Sequence, residues 1–131
     1  MNKTLVFVYG TLKKGQCRGG TMEAGKFIGP GKSQTGDLVL LTCGPYPAIA
    51  KPTALTFETK PMVVEGEVYE VDALLLKRLD AIEGYPYLYT REEITLQDGT
   101  KAISYFISQT KKFTAKAVIE SGVWDDSMAR R

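Results

Sequence analysis

A short turn follows the first apolar segment of the chain and could bind a polar group. Tyr9, Gly10, Thr11 and Leu12 stand where the apolar residues 4–8 end. Backbone N–H groups that a tight turn leaves without partners can form a concave site for a carboxylate or an oxyanion. We interpret this Tyr9–Leu12 loop as a binding loop, with a plain tight turn as the alternative.

The same segment has the glycine spacing that opens a nucleotide-binding P-loop. Gly10 and Gly15 match the first half of that motif, which continues with Lys and then Ser or Thr. Gln16 and Cys17 occupy those two positions here. Without the lysine and the hydroxyl, neither the phosphates nor Mg²⁺ has its ligand, so nucleotide binding by this motif is rejected.

Glu83 is the residue best placed for acid–base chemistry. It ends a predicted helix, follows the apolar Ile82 and precedes Gly84. The negative end of the helix dipole and apolar neighbours both disfavour a charged carboxylate, which should raise its pKa. An exposed glutamate at a fraying helix end is the alternative. Asp80, on the same turn, is expected to face solvent or to cap nearby groups.

Tyrosines cluster after Glu83 and suit an apolar pocket that offers a few hydroxyl donors. Most of them are expected to pack the sheet instead. Tyr89 is singled out as a substrate contact because it lies just after the Glu83 turn, and Arg91 could pair with a nearby carboxylate. The other tyrosines of this cluster are Tyr85 and Tyr87, whereas Tyr46 and Tyr69 lie elsewhere in the sequence.

The composition excludes several other chemistries. No histidine is present among the 131 residues, which removes histidine-based nucleophile activation, proton transfer and metal ligation. Cys17 and Cys43 match no metal-ligand spacing, and we interpret both as reduced thiols of a cytoplasmic protein. A net charge of +2 with interspersed acids argues against nucleic-acid binding. The first apolar run is too short for a membrane span or a signal peptide.

Strands dominate the elements that must position these residues. The first strand is continuously apolar, which predicts a central place in the sheet with both faces covered. Glycines from Gly10 to Gly25 leave the backbone there free to adopt unusual dihedral angles, and Asp98-Gly99 predicts a hairpin turn. The predicted strands are residues 3–9, 36–43, 47–51, 62–71, 88–97 and 101–108.

One helix is clearly predicted between residues 72 and 84. Asp72 is a good N-cap, an apolar stripe follows at helical spacing, and Gly84 can end the helix in a left-handed conformation. Thr114 is expected to cap a final short helix that ends near Gly122. Together these elements predict a single domain, residues 1–131, of the α+β class or a small barrel-like fold.

These segments together resemble the γ-glutamylcyclotransferase superfamily (AIG2-like), and most closely its γ-glutamylamine cyclotransferase branch. The matching pieces follow the family order from residue 6 to about residue 106. They are Val8-Tyr9-Gly10-Thr11-Leu12-Lys13-Lys14-Gly15-Gln16, Pro45-Tyr46-Pro47, Gly66-Glu67-Val68-Tyr69-Glu70-Val71-Asp72, Leu79-Asp80 with Glu83, and Leu88-Tyr89-Thr90-Arg91.

The resemblance implies a mixed β-barrel of five to six strands flanked by helices, with the Tyr9–Leu12 loop as one wall of a small cavity. It implies chemistry without metal or cofactor that converts a γ-glutamyl amine, such as γ-glutamyl-ε-lysine, to 5-oxoproline and the free amine. Glu83 would be the catalytic acid–base residue, since one carboxylate can serve both proton transfers when a five-membered ring forms. The loop and Tyr89 would bind substrate.

Two other functions remain open at this stage. The chain could be a non-catalytic small-molecule binding protein on the same fold, or a structural or partner-binding domain without a pocket. For the favoured function the expected partner is a small γ-glutamyl substrate, with no nucleic acid and no membrane. The leaving amine and the oligomeric state are not determined by the sequence.

Because the sequence offers no metal site and no histidine-activated thiol, we expect activity to be independent of both metals and cysteines. Formation of 5-oxoproline should be unchanged in EDTA and in a Cys17→Ser, Cys43→Ser double variant. Strong inhibition by the chelator would contradict the proposed chemistry.

Overall fold

A computed structural model describes residues 3–16, 19–125 and 127 of the chain. It contains seven strands, one α-helix and three 3-10 helices, and none of the helices in this described part is long and apolar enough to cross a membrane. The strands are β1 (Thr4–Val8), β2 (Lys26–Lys32), β3 (Val39–Cys43), β4 (Tyr46–Ala50), β5 (Glu65–Val71), β6 (Tyr89–Thr95) and β7 (Lys101–Ile107). The α-helix is α1 (Ala73–Glu83), and the 3-10 helices are Gly19–Ala24, Pro52–Ala54 and Ala115–Ala117.

The predicted central strand is confirmed. Five strands form a sheet in the order β2-β5-β1-β7-β6, so β1 lies in the middle, antiparallel to β5 and parallel to β7. Val6, Phe7 and Val8 are all buried in the hydrophobic core. Because β1 is central and buried, the Tyr9–Leu12 loop that follows it begins in the interior of the protein.

The α+β class is confirmed, but the expectation of a closed barrel is wrong. The two edge strands, β2 and β6, meet at their ends, where Ser33 and Leu96 form an isolated antiparallel bridge. The backbone amide of Gln97 also donates to the carbonyl of Lys32, the last residue of β2, at 3.0 Å. Because this contact is confined to the strand ends, the sheet stays open along most of its edges. Strands β3 and β4 form a separate two-stranded sheet.

Both predicted ends of helix α1 are confirmed. The Asp72 carboxylate accepts a hydrogen bond of 2.8 Å from the Leu75 amide, and Gly84 takes a left-handed conformation with φ of 64°. Leu75 and Leu79 are buried, so the apolar stripe anchors the helix on the core. These three constraints fix the position of the last helical residue, Glu83.

The predicted C-terminal helix is wrong beyond one short turn. Only Ala115–Ala117 is helical, in a 3-10 conformation, and the Thr114 side chain makes no capping bond. The Ile119 amide instead donates to the Leu40 carbonyl at 2.8 Å, and Val118 bridges Leu41. Pairing with β3 satisfies backbone groups that a longer helix would have bonded internally.

Substitution of Gly122 should destabilise the fold for two reasons. Its φ of 74° is left-handed, and an added Cβ would overlap the Val63 carbonyl oxygen. Gly44 has a similar φ of 65° but nothing within 4 Å of an added Cβ, which makes it a matched control. We expect Gly44→Ala to cost about 1–2 kcal/mol, and Gly122→Ala to cost about 1–3 kcal/mol more. Equal losses in denaturant unfolding would contradict the predicted clash.

Candidate active site

The Tyr9–Leu12 loop is held at both ends by long-range hydrogen bonds. The Tyr9 hydroxyl donates to the Tyr105 carbonyl at 2.7 Å, which ties the end of β1 to β7. The loop turns back on itself where the Lys13 amide donates to the Gly10 carbonyl at 3.0 Å. The Lys13 ammonium group then donates to the Trp124 carbonyl at 2.7 Å. The loop is therefore a fixed wall of the site.

Gly10 is required because of a close contact. Its φ lies outside the left-handed region, whereas Gly15 in the same glycine-rich segment uses that region with φ of 80°. An added Cβ would instead overlap Cγ of Pro47 in β4. The glycine thus allows the loop backbone to approach the proline ring more closely than any other residue would.

The loop presents unbonded backbone donors. In the part of the chain that the structure describes, the amide N–H groups of Gly10, Thr11 and Leu12 donate to no acceptor. Thr11 and Leu12 are themselves buried. Buried amides without partners are costly, and their presence in a native fold is typical of a site that a ligand or water completes.

Glu83 is the last residue of α1 and its side chain is half-buried. It lies where the backbone carbonyls at the end of the helix concentrate partial negative charge. The rise in its pKa that the sequence suggests stays a prediction.

One cavity of about 170 Å³ brings every sequence-predicted site residue together. Its lining includes Glu83 from α1, the whole Tyr9–Leu12 loop, and Tyr89 from the start of β6. The remaining lining residues are Phe7, Val8, Tyr46, Pro47, Ile82, Leu88 and Tyr105. Among the lining residues, all of which are described, Glu83 is the only Asp, Glu, Lys or Arg. The roles assigned to these residues are proposals, but their proximity is a property of the fold.

Three tyrosine hydroxyls around this cavity form hydrogen bonds that join the elements of its walls. Tyr89 donates to the Pro47 carbonyl at 2.8 Å, and Tyr105 donates to a carboxylate oxygen of Asp80 at 2.7 Å. Burial raises the pKa of the Tyr9 hydroxyl well above its ordinary value, and neighbouring Tyr89 and Glu83 act in the same direction. Burial likewise raises the pKa of Tyr105, helped by its bond to Asp80. Tyr9 and Tyr105 therefore stay protonated donors at neutral pH.

Asp80 does not face solvent. Besides accepting from Tyr105, it forms an ion pair with Arg91, with 3.5 Å between the guanidinium nitrogen and the carboxylate oxygen. The Asp80 and Arg91 side chains are only 20% and 27% exposed. Arg91 also lies over the Tyr85 ring, 4.6 Å from its centre. The structural role for Arg91 is confirmed, and Asp80 joins the helix end to β6 and β7.

Sequence reasoning missed Tyr105 as part of the site. It lies on β7, opposite Arg91 in the β6–β7 register, and lines the cavity. Only knowledge of that register could have placed it beside Asp80, because no local motif distinguishes it. Tyr69 lies elsewhere, bonded to Glu67 at 3.1 Å.

Few residues here could hold a metal. The described residues contain no group of three or more His, Cys, Asp or Glu side chains that could hold an ion. Cys43 is a free, half-buried thiol, and Cys17 lies outside the described residues. The polar groups that the cavity does offer are amide N–H donors and one carboxylate acceptor, which suit an organic substrate that carries both a carboxylate and an amine.

Comparison with known proteins agrees with this geometry. An archaeal protein from Methanocaldococcus jannaschii, named provisionally as a gamma-glutamylcyclotransferase, is 33% identical over 126 residues, covering 92% of this chain and 95% of that protein. Human gamma-glutamylaminecyclotransferase is 37% identical over 103 residues, covering 71% of this chain and 61% of the human protein. The solved structure of a mouse AIG2-like protein matches with a TM-score of 0.73 at 26% identity, covering 95% of this chain and 90% of that one.

The model of the family described as gamma-glutamyl cyclotransferase, AIG2-like, matches residues 6–126 of this chain and includes every residue of the cavity. The chain therefore belongs to the AIG2-like gamma-glutamyl cyclotransferase family.

Proposed function

We propose that this chain is a cyclotransferase that converts a γ-glutamyl amine to 5-oxoproline and the free amine, with Glu83 as its acid–base residue. The observation that carries the proposal is the meeting of Glu83 with the unbonded amides of the Tyr9–Leu12 loop in one cavity of about 170 Å³. Pockets for drug-sized ligands measure roughly 300–1,000 Å³. A cavity this small suits a single amino-acid group.

The reaction needs two proton transfers and no water. The nitrogen of the neutral α-amine of the γ-glutamyl group attacks the side-chain carbonyl carbon, and the Glu83 carboxylate takes one proton from that nitrogen as the bond forms. A carbon–nitrogen bond forms and the carbonyl oxygen becomes an oxyanion. The bond to the leaving nitrogen then breaks as Glu83 returns a proton to that nitrogen. Both nitrogens are bonded to the same carbon in the intermediate, so one carboxylate can reach both.

The loop amides supply the complementary donors. Gly10, Thr11 and Leu12 offer N–H groups that donate to no acceptor within the described chain. Such fixed donors can hold the α-carboxylate of the γ-glutamyl group or the developing oxyanion without reorganisation during the reaction. Tyr89 contributes its ring face as a wall, since its hydroxyl proton is directed to the Pro47 carbonyl.

Charge favours an amine over an α-amino acid as the leaving group. Glu83 is the only Asp or Glu of the cavity lining, which contains no Lys or Arg. The leaving nitrogen of a γ-glutamyl α-amino acid bears a carboxylate one carbon away, and that charge would enter a site with no cation to balance it. The leaving nitrogen of γ-glutamyl-ε-lysine is followed by methylene groups instead. The relation to the human protein named gamma-glutamylaminecyclotransferase supports the same choice.

The alternative, a binding protein without catalysis, makes a different prediction for the same cavity. It would hold γ-glutamyl compounds or 5-oxoproline and release no product. Incubation with γ-glutamyl-ε-lysine, with detection of 5-oxoproline and free lysine, separates the two functions directly.

Replacing Glu83 should abolish turnover while the fold and the binding site remain. Glu83→Gln keeps the shape of the side chain but cannot accept a proton, and loss of such a group typically costs on the order of 10²–10⁴ in rate. We expect kcat for 5-oxoproline formation to fall by that factor, with the thermal midpoint and the affinity for 5-oxoproline nearly unchanged.

Glu93→Gln is the matched control, because Glu93 is an exposed residue on β6 outside the cavity. It should leave kcat unchanged. If Glu83→Gln turned over at nearly the wild-type rate, the acid–base role would be wrong. If it were inactive only because it unfolds, Glu83 would be a structural residue.

Gly10→Ala should damage both stability and activity, because its Cβ would overlap the Pro47 ring. We expect a loss of about 1–3 kcal/mol in the free energy of unfolding. Since displacement by about 1 Å can cost on the order of 10²-fold in rate, kcat/KM should fall by roughly 10–100-fold at temperatures where the variant is folded. Gly20→Ala is the control, because nothing lies within 4 Å of its added Cβ. Equal behaviour of the two variants would contradict the close contact.

A further inference from the structure

Two exposed apolar side chains line the cavity. Seven large apolar residues of the described chain are exposed: Phe27, Ile28, Tyr46, Leu74, Tyr85, Tyr87 and Leu88. Tyr46 and Leu88 line the cavity although they are 41% and 53% exposed, so they form part of its mouth. Tyr87, next to Leu88 in the chain, is 87% exposed. We call Tyr46 and Leu88 the apolar rim.

The rim is fixed by backbone contacts on both sides. Tyr46 pairs with Cys43 at the start of the β3–β4 hairpin. The Leu88 amide donates to the Gly84 carbonyl at 2.8 Å, and its carbonyl accepts from the Ser108 amide at 3.1 Å. The two side chains are thus presented to solvent by a rigid backbone. Grouped exposed apolar side chains next to a cavity are typical of a binding surface.

The geometry of the proposed reaction predicts which part of the substrate contacts the apolar rim. The cavity of about 170 Å³ suits the γ-glutamyl group, and the leaving amine is bonded to the carbonyl carbon that reacts beside Glu83. An amine with more than a few carbons must therefore extend out of the cavity. The side chains that are both lining and well exposed, Tyr46 and Leu88, mark where it leaves.

We propose that the apolar rim is a subsite for the leaving amine, and that it selects γ-glutamyl amides in which the leaving nitrogen is followed by an alkyl or aromatic segment. This inference rests on the proposed function and adds the chemical class of the leaving group. Burying one methylene group favours binding by up to about fourfold in affinity, and partial burial by about twofold. The preference should therefore grow stepwise with chain length until the chain passes the rim.

The test is a series of γ-glutamyl n-alkylamides, from methyl to hexyl, assayed for 5-oxoproline release and, by calorimetry, for binding to the Glu83→Gln variant. We expect kcat/KM and affinity to rise about twofold per methylene over the first members, with the change mainly in KM. A flat or falling series would overturn the inference. If no member yields 5-oxoproline, the proposed function fails, and the affinity series with wild-type protein still decides whether the rim binds alkyl chains.

Variants of the rim give a second, independent readout. In Leu88→Ser and in Tyr46→Ser, the ratio of hexyl to methyl kcat/KM should fall by roughly three- to tenfold, from loss of part of the apolar contact. Leu74→Ser is the control, because Leu74 is 76% exposed on α1 and does not line the cavity. Its ratio should match the wild type. An unchanged ratio in both rim variants, at an unchanged thermal midpoint, would overturn the assignment.

Discussion

The close approach of Gly10 to the Pro47 ring is the contact on which the site depends. It brings the loop that follows the central strand β1 against β4, which belongs to the other sheet. The Pro47 carbonyl in turn accepts the Tyr89 hydroxyl at 2.8 Å and so connects the same point to β6. Three elements distant in sequence are thereby locked around one cavity. A Cβ at residue 10 would separate them, although the backbone dihedral angles themselves would permit it.

A second constraint concerns charge at the end of α1. Asp80 and Glu83 lie on the same helical turn, and two free carboxylates there would repel each other and the helix carbonyls. Arg91 and the Tyr105 hydroxyl both bond to Asp80, so its charge is balanced within the framework. Glu83 is then the only Asp, Glu, Lys or Arg in the cavity lining. The network separates a structural carboxylate from the one to which we assign chemistry.

Local features of the fold could be predicted from sequence, whereas contacts between distant segments could not. The ends of α1 were predicted correctly from Asp72 and Gly84, because the Asp72 side chain and the left-handed Gly84 backbone each act within one helical turn. Tyr105 was missed because its place beside Asp80 depends on the β6–β7 register. The prediction of a C-terminal helix was wrong because residues 118–119 form backbone hydrogen bonds with β3 in place of helical hydrogen bonds. The contact of Gly10 with Pro47 could not be predicted for the same reason, since Pro47 lies 37 positions away in the sequence.

The proposed reaction needs few catalytic groups. This agrees with a sequence that contains no histidine and with the geometry of the cavity. An intramolecular attack brings its own nucleophile, so the protein must bind one group, hold a proton acceptor beside it and exclude competing water. We assign these three tasks to the loop amides, Glu83 and the aromatic walls. The γ-glutamyl group is common to all substrates of the proposed reaction, so differences between substrates lie in the leaving amine. Under the proposed function, selectivity therefore depends on the charge of the cavity next to the leaving nitrogen and on the apolar rim, Tyr46 and Leu88, beyond it.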